Sequence, residues 1–402
     1  MNSYLLINYL IQQRNYKRYL EITVHNSLYN FSRIQCAHKA SVFPDTGDDF
    51  FSKKNGAFDL IFIDGIHTET AVLNDITNAL NNLAPGGVIV LHDCMPPDAW
   101  HQREPEDFQE GENWNGTVWK AALRVFNSST HKCMLLDMDW GCGVIDTAYE
   151  QHPANKPLPH VLDYALHYPL LLEYKTSVSG WLRGQVTVFY HLACMGNWQE
   201  VFPEQMRQLR QNGFHHLHMS VLGEAENLQT VHAAIRELDM HVNIFFHSQD
   251  FNCFEKPALE EIEAFARNNK GHILYLHSKG VSNPADHTKT KWRKLMMHEL
   301  IDKWEGCMPE LLNYDVIGVN WRDMPPTSHF CGNFWYASTN YLRKLADFNV
   351  YYDNPRYRIW DRINDKRLGC EFWIGSGNEK PRVLSLFCRN VDFCNHEYWR
   401  NK

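Results

Sequence analysis

Phe58-Asp59-Leu60-Ile61-Phe62-Ile63-Asp64-Gly65-Ile66-His67, followed downstream by Leu83-Ala84-Pro85-Gly86-Gly87-Val88-Ile89-Val90-Leu91-His92-Asp93, is the stretch that decides the fold of this chain. Each half is a short apolar run that ends abruptly in acid and imidazole groups. Runs of this length bounded by turn residues read as strands buried on both faces. A helical pattern from about Thr68 to Leu83 joins them, and Pro85-Gly86-Gly87 turns the chain into Val88–His92. With a further strand at Tyr19–Val24, this alternation predicts a mainly parallel sheet with helices on both faces.

The same grammar begins again further along. Val186–Leu192, Leu217–Leu222, Val242–His247 and Ile273–Leu276 read as strands, with helices at Val201–Asn212, Asn227–Leu238 and Ala258–Asn268 between them. At 402 residues the chain exceeds what one core usually organises. The expected fold class is therefore α/β, with two Rossmann-like α/β domains: 1–150, then a linker and docking helix at 151–184 around Leu170-Leu171-Leu172, then 185–402.

Composition narrows the function classes. A formal charge of -8 without a basic stripe argues against nucleic acid as the partner. No apolar window approaches the roughly 18 residues of a membrane span, so a cytoplasmic protein is expected, peripheral at a membrane if its acceptor is lipid-borne. The 11 cysteines, unpaired in spacing, suit reduced thiols better than a disulfide framework. Cys388, Cys394 and His396 lack a fourth ligand and the spacing of a zinc site, and no resident metal is expected. His215, His216 and His218 read as surface and packed histidines of one strand.

The segments 58–67 and 83–93 resemble the class I S-adenosylmethionine-dependent methyltransferases, in the branch of small-molecule O-methyltransferases, over roughly residues 17–146. That resemblance implies a metal or acceptor-hydroxyl site at Asp64 and Asp93, with His67 and His92 nearby. Two cofactor elements depart from the family. The first strand, Leu20-Glu21-Ile22-Thr23, carries Thr23 where the family has a glycine that admits close approach of the cofactor. The next strand carries Phe43 where an acid would accept the ribose hydroxyls. Two readings follow: a working O-methyltransferase with an adapted loop, or a domain kept for packing, homo-oligomer contact or orientation of its neighbour. The departures make S-adenosylmethionine an unexpected ligand.

From Val186 onward the order of elements resembles the GT-A class of glycosyltransferases, over about residues 185–390. The resemblance implies a nucleotide-sugar donor, UDP- or GDP-linked, and a glycan acceptor in surface polysaccharide assembly. Strand Ile273–Leu276 ends in His277-Ser278-Lys279-Gly280, where such enzymes place an Asp-x-Asp metal site. A departing diphosphate needs a metal or cationic donors, and His277 and Lys279, with backbone N–H groups near Gly280, supply such donors without a metal. His191 would sit over the base and Ser278 beside the phosphates. In His329-Phe330-Cys331-Gly332-Asn333-Phe334-Trp335, aromatic rings stand beside amide and imidazole groups; His329, Asn333 and Trp335 suit a sugar, whose C–H face stacks while its hydroxyls are bonded. Glu371, set among apolar residues, is the expected base. The expected activity is thus metal-independent glycosyl transfer. Its competitors are S-adenosylmethionine-dependent O-methylation of a sugar and a non-catalytic scaffold.

Overall fold

The computed structural model describes residues 1–24, 28–43, 50–51, 56–109, 111–323, 328–353 and 365–387. Cys388, Cys394 and His396 lie outside the described residues. The chain divides into two compact α/β units, Met1–Trp181 and Leu182–Lys402.

The first unit is built on a seven-stranded sheet: β1 (Arg18–Thr23), β2 (His38–Val42), β3 (Phe58–Asp64), β4 (Leu83–Leu91), β5 (His131–Leu136), β6 (Cys142–Glu150) and β7 (Lys175–Thr176). Their order is β2-β1-β3-β4-β6-β5-β7. β2, β1, β3 and β4 run parallel, whereas β6 is antiparallel to both β4 and β5. Leu60–Ile63 and Val88–Leu91 are buried along their whole length, the pattern that helices on both sheet faces impose. The Pro85-Gly86-Gly87 triplet is not a separate turn. It is carried inside β4, where Gly86 takes φ +74° and the register shifts, Phe58 facing Leu83 but Leu60 facing Val88, so that β4 bulges by three extra residues around the left-handed glycine.

Helix Glu69–Asn82 begins at Thr68, whose hydroxyl accepts the Ala71 N–H, and it buries Val72, Ile76 and Ala79 in the unit's core. Residues 151–181 also belong to this unit. In helix Tyr164–Leu172, Leu171 is fully buried, and Tyr164 and Tyr168 meet Trp119 edge-on at 5.7 and 5.6 Å.

The second unit carries β8 (Val186–Ala193), β9 (His216–Leu222), β10 (His241–Ser248), β11 (His272–His277), β12 (Val316–Gly318), β13 (Trp321–Arg322), β14 (His329–Phe330), β15 (Trp335–Ser338) and β16 (Val383–Ser385). Seven of them form a sheet of order β10-β9-β8-β11-β15-β12-β16, and β13 pairs with β14 separately. β10, β9, β8 and β11 are parallel and β15 is antiparallel to β11. A core of Phe189, Ile262, Tyr275, Trp335, Phe348 and Trp373 lies beneath.

In both sheets the chain reverses direction beside its first strand. β1 lies between β2 and β3, and β8 between β9 and β11. The connections leave on opposite faces there, opening a crevice beyond the carboxyl ends of the strands. These two crevices are where function is to be sought.

Candidate functional site

In the first unit, β3 and β4 deliver Asp64, His92 and Asp93 side by side. Asp93 takes φ +58°, a left-handed conformation that a short polar side chain tolerates, and this turns its carboxylate back over the strand ends. One oxygen, from each carboxylate, and one ring nitrogen converge: an atom apiece from Asp64, His67 and Asp93 lies within 4.8 Å of the other two. His67 Nε2 stands 3.4 Å from both Asp64 Oδ1 and Asp93 Oδ2. His92 Nδ1 lies 2.8 Å from Asp93 Oδ2 and 3.2 Å from Asp64 Oδ1, and its Nε2 faces Asp139 Oδ2 at 3.4 Å.

A loop after β4 braces this cluster. Asn115 donates from Nδ2 to Asp93 Oδ1 at 2.6 Å, and His67 Nδ1 meets the Trp114 carbonyl at 3.2 Å. Thr117 N–H donates to the His67 carbonyl at 2.8 Å. Gly116 makes that approach feasible, since with φ +59° a Cβ there would lie 2.1 Å from the His67 oxygen.

The electrostatics follow from these contacts. Burial alone would raise the Asp64 carboxyl, but bonds from His67 and His92 hold it well below the usual carboxylate range. Burial opposes protonation of His67 and His92, yet their carboxylate neighbours raise both, His92 strongly. At the end of β1, Thr23 pairs in register with Asp64, and buried Glu21 accepts the Tyr19 hydroxyl at 2.7 Å. Burial raises the Glu21 carboxyl. Of the groups in this cluster, Asp64, His67, His92 and Asp93 are legible as strand-end residues in the sequence. Asn115 and Asp139 are not, and their only signal is the turn chemistry of Asn115-Gly116 and Asp139-Trp140-Gly141.

In the second unit a cavity of about 340 Å³ opens at the β8–β11 crevice. His191, His277, Ser278, Lys279 and Gly280 line it together with Glu255 and Arg367. His277 does not act as a cation: burial, reinforced by Lys279, lowers its imidazole to about 3, and Nε2 meets the Gly332 carbonyl at 3.0 Å. His191 is likewise lowered by burial, to about 4, and its Nδ1 lies 2.8 Å from the Ser220 hydroxyl. Ser278 Oγ accepts the Ala193 N–H, and the Lys279 ammonium sits 4.0 Å over the Trp292 ring.

The remaining residues expected here stand away from the lining. Asn333 donates to Glu255 Oε2 at 2.7 Å and accepts from Trp335 Nε1 at 2.9 Å, so that Glu255, also bonded by the Tyr275 hydroxyl, links them to the cavity wall. Trp335 is fully buried and His329 packs its ring on Phe372 at 4.5 Å. Glu371 Oε1 accepts the Gly332 N–H at 2.5 Å. Glu255 is the residue that sequence reasoning missed, for it opens a helix and carries no strand-end signal.

The first unit is thus an α/β domain with a carboxylate–imidazole cluster at its strand ends. Residues 3–94 match the family model of a methyltransferase domain, and residues 189–376 match a domain of unknown function. No curated protein matches the chain. Among solved structures, an O-methyltransferase from Bacillus cereus in complex with S-adenosylhomocysteine is 14% identical, with 36% of this chain and 80% of that one covered at a TM-score of 0.26. TomG, an O-methyltransferase of Streptomyces achromogenes involved in tomaymycin synthesis, in complex with S-adenosylmethionine, is 14% identical over 36% of this chain and 79% of its own, at a TM-score of 0.27. HddC from Yersinia pseudotuberculosis is 8% identical, covering 50% and 89%, at a TM-score of 0.28.

The cofactor expectation is corrected by the family match. The sequence reading expects a nucleotide sugar and not S-adenosylmethionine, whereas residues 3–94 match a methyltransferase domain. Thr23 and Phe43 depart from the family's cofactor determinants, but a strand-end residue changes the shape of a crevice without removing the crevice that the sheet order creates. Among the described residues no helix is long and apolar enough to cross a membrane.

Proposed function

We propose that the first unit is an S-adenosylmethionine-dependent O-methyltransferase of hydroxylated small molecules, assisted by a divalent cation. The observation that carries this reading is the convergence of Asp64, His67 and Asp93 at the carboxyl ends of β3 and β4, inside a segment that matches a methyltransferase domain.

The residues fit both groups by their chemistry. S-adenosylmethionine supplies an electrophilic methyl group: the acceptor's O–C bond forms as the C–S bond breaks, leaving S-adenosylhomocysteine and releasing the hydroxyl proton. The carboxylate of Glu21, on β1 beside the β1–β3 crevice, would complement the sulfonium charge. For a cation, two carboxylates and one imidazole form an oxygen–nitrogen donor set of the kind that hard and borderline divalent ions take. The bond of His67 Nδ1 to the Trp114 carbonyl directs Nε2 at the carboxylates, and Asn115 occupies Asp93 Oδ1 so that Oδ2 faces inward. Asp64, His67 and Asp93 would hold the ion, which there would lower the pKa of an acceptor hydroxyl. His92, whose imidazolium form Asp64, Asp93 and Asp139 all stabilise, is already protonated and serves to orient the two carboxylates, and the released proton passes to solvent.

The test is titration calorimetry of the full chain with S-adenosylhomocysteine and, separately, with Mn²⁺. The reading expects both to bind and expects Asp93→Asn to weaken Mn²⁺ by about a hundredfold, the scale on which a lost ligand is felt. Absence of S-adenosylhomocysteine binding at about 1 mM, equivalent to roughly 4 kcal/mol, would refute it.

A further inference from the structure

Beside the cluster stands an aromatic side chain that the reaction itself does not use. Trp140 is 43% exposed, unusual for a residue of this size. Trp140 follows Asp139, the partner of His92 Nε2, in the tight turn between β5 and β6. That turn is strained: Asp139, Trp140 and Gly141 have φ of +45°, +62° and +89°. A bulky residue in this region is an outlier that costs on the order of 1–3 kcal/mol and persists where something over-determines it. No packing demand explains a tryptophan there, because nearly half of it faces solvent. One face of its ring is backed by His101, with centroids 5.8 Å apart and planes at 29°. His101 is itself held by Asp98, Nδ1 to Oδ1 at 2.7 Å, and its carbonyl accepts the N–H groups of Asn115 and Gly116, which brace the cluster.

We infer that the Trp140 ring is the acceptor platform of the methyl-transfer site and that the acceptor is a carbohydrate, a pyranose ring seated by its C–H face on Trp140. The inference rests on the methyl-transfer reading and adds its substrate class. An open aromatic face beside a carboxylate and an imidazole is the arrangement a polyhydroxylated ring requires, since its faces are apolar and its edge carries the hydroxyls. Asp139, next in sequence to Trp140, and its partner His92 supply that carboxylate and imidazole. A flat aromatic acceptor is better served by a closed slot that buries both faces, as most small-ligand pockets do.

The strain makes the test selective. Trp140→Gly places in the turn the one residue that adopts φ +62° freely, so it is expected to leave the melting temperature unchanged or raise it. A merely structural tryptophan would lower it. The full chain, saturated with S-adenosylhomocysteine, is titrated with methyl α-glucopyranoside, methyl α-rhamnopyranoside and methyl β-galactopyranoside, and with catechol as the flat alternative, by saturation-transfer difference NMR. At least one pyranoside is expected to bind, about tenfold more weakly in Trp140→Gly and near normally in Trp140→Tyr, tenfold being about 1.4 kcal/mol. S-adenosylhomocysteine affinity should be the same in all three proteins. Trp140→Asn, whose short polar side chain also tolerates a left-handed conformation and has no aromatic face, serves if Trp140→Gly does not fold, and is also expected to weaken the pyranoside. Pyranoside binding unaffected by these substitutions, no pyranoside binding, or catechol binding in its place overturns the inference while leaving methyl transfer standing. Loss of S-adenosylhomocysteine binding by the unmodified protein removes both.

Discussion

Gly116→Ala is the substitution on which the geometry of the first unit's site bears most directly. The added Cβ would fall 2.1 Å from the His67 carbonyl oxygen and 2.8 Å from His67 Cβ, while φ at this position is +59°. A left-handed alanine costs about 1–2 kcal/mol. The clash pushes the loop away by about an ångström, which breaks the Thr117 N–H bond to His67 and loosens the Gly116 N–H bond to His101, at about 1 kcal/mol each. The sum, roughly 3–4 kcal/mol, corresponds to a fall of roughly 6–16 °C in the melting temperature of a unit of this size. Gly111→Ala is the matched control. It lies in the same loop with φ +91°, but its Cβ would meet nothing within 4 Å, so only the backbone cost applies, about 2–8 °C. Scanning calorimetry of the full chain reads both, and Mn²⁺ titration reads whether Trp114 and Asn115 have moved off His67 and Asp93. Equal effects of the two substitutions on melting and on Mn²⁺ affinity would refute the claim that Gly116 is there to let the loop reach the cluster.

Asp75 is buried in helix Glu69–Asn82 with its Oδ2 unbonded, and burial raises its carboxyl to about 6. Its folded-state pKa lies above the unfolded value of about 3.9, so the residue costs nothing below about pH 4 and increasingly more as pH rises through 6. Asp75→Asn should therefore gain about 1–2 kcal/mol at pH 7.5 and little at pH 4 by urea denaturation; equal gains at both values would dismiss the carboxylate as the cause. In the second unit burial lowers His191 to about 4 and His272 and His277 to about 3. The unfolded chain takes up these protons below about pH 6.5 and the folded unit refuses them, so stability is complete above 6.5 and falls with acid, by about 2 kcal/mol per histidine at pH 5. A urea midpoint that stays level from pH 7 to 5 would show that these rings reach solvent. Asp64→Asn should weaken Mn²⁺ by about a hundredfold as Asp93→Asn does, whereas Gln102→Ala, outside the cluster, should leave it intact; the opposite order would place the ion elsewhere.

Much of this is legible in the sequence. Leu60–Ile63 and Val88–Leu91 announce buried parallel strands because an uninterrupted apolar run has no other stable place, and Asp64, His67, His92 and Asp93 follow as strand-end groups because polar residues cannot continue inward. The strand series from Val186 to Leu276 is readable for the same reason, and it places His191, His277, Ser278, Lys279 and Gly280 on one crevice. All of this is local: periodicity two or 3.6, and the residue at which it stops.

The tertiary structure decided what depends on contacts distant in sequence. Asp139 reaches His92 from the β5–β6 turn, Asn115 reaches Asp93 from a loop, and Glu255 ties Tyr275 to Asn333, pairings that no spacing encodes. Charge state is likewise non-local. His277 reads as a cationic donor from its neighbours Ser278 and Lys279, but full burial against the Gly332 carbonyl makes it a neutral one. The sequence by itself determined which segments are strands and where each stops, since that follows from the transfer energy of each residue. Which strand ends meet, and with what protonation, was left to the three-dimensional packing, because desolvation and Coulomb energy depend on what surrounds a group in space.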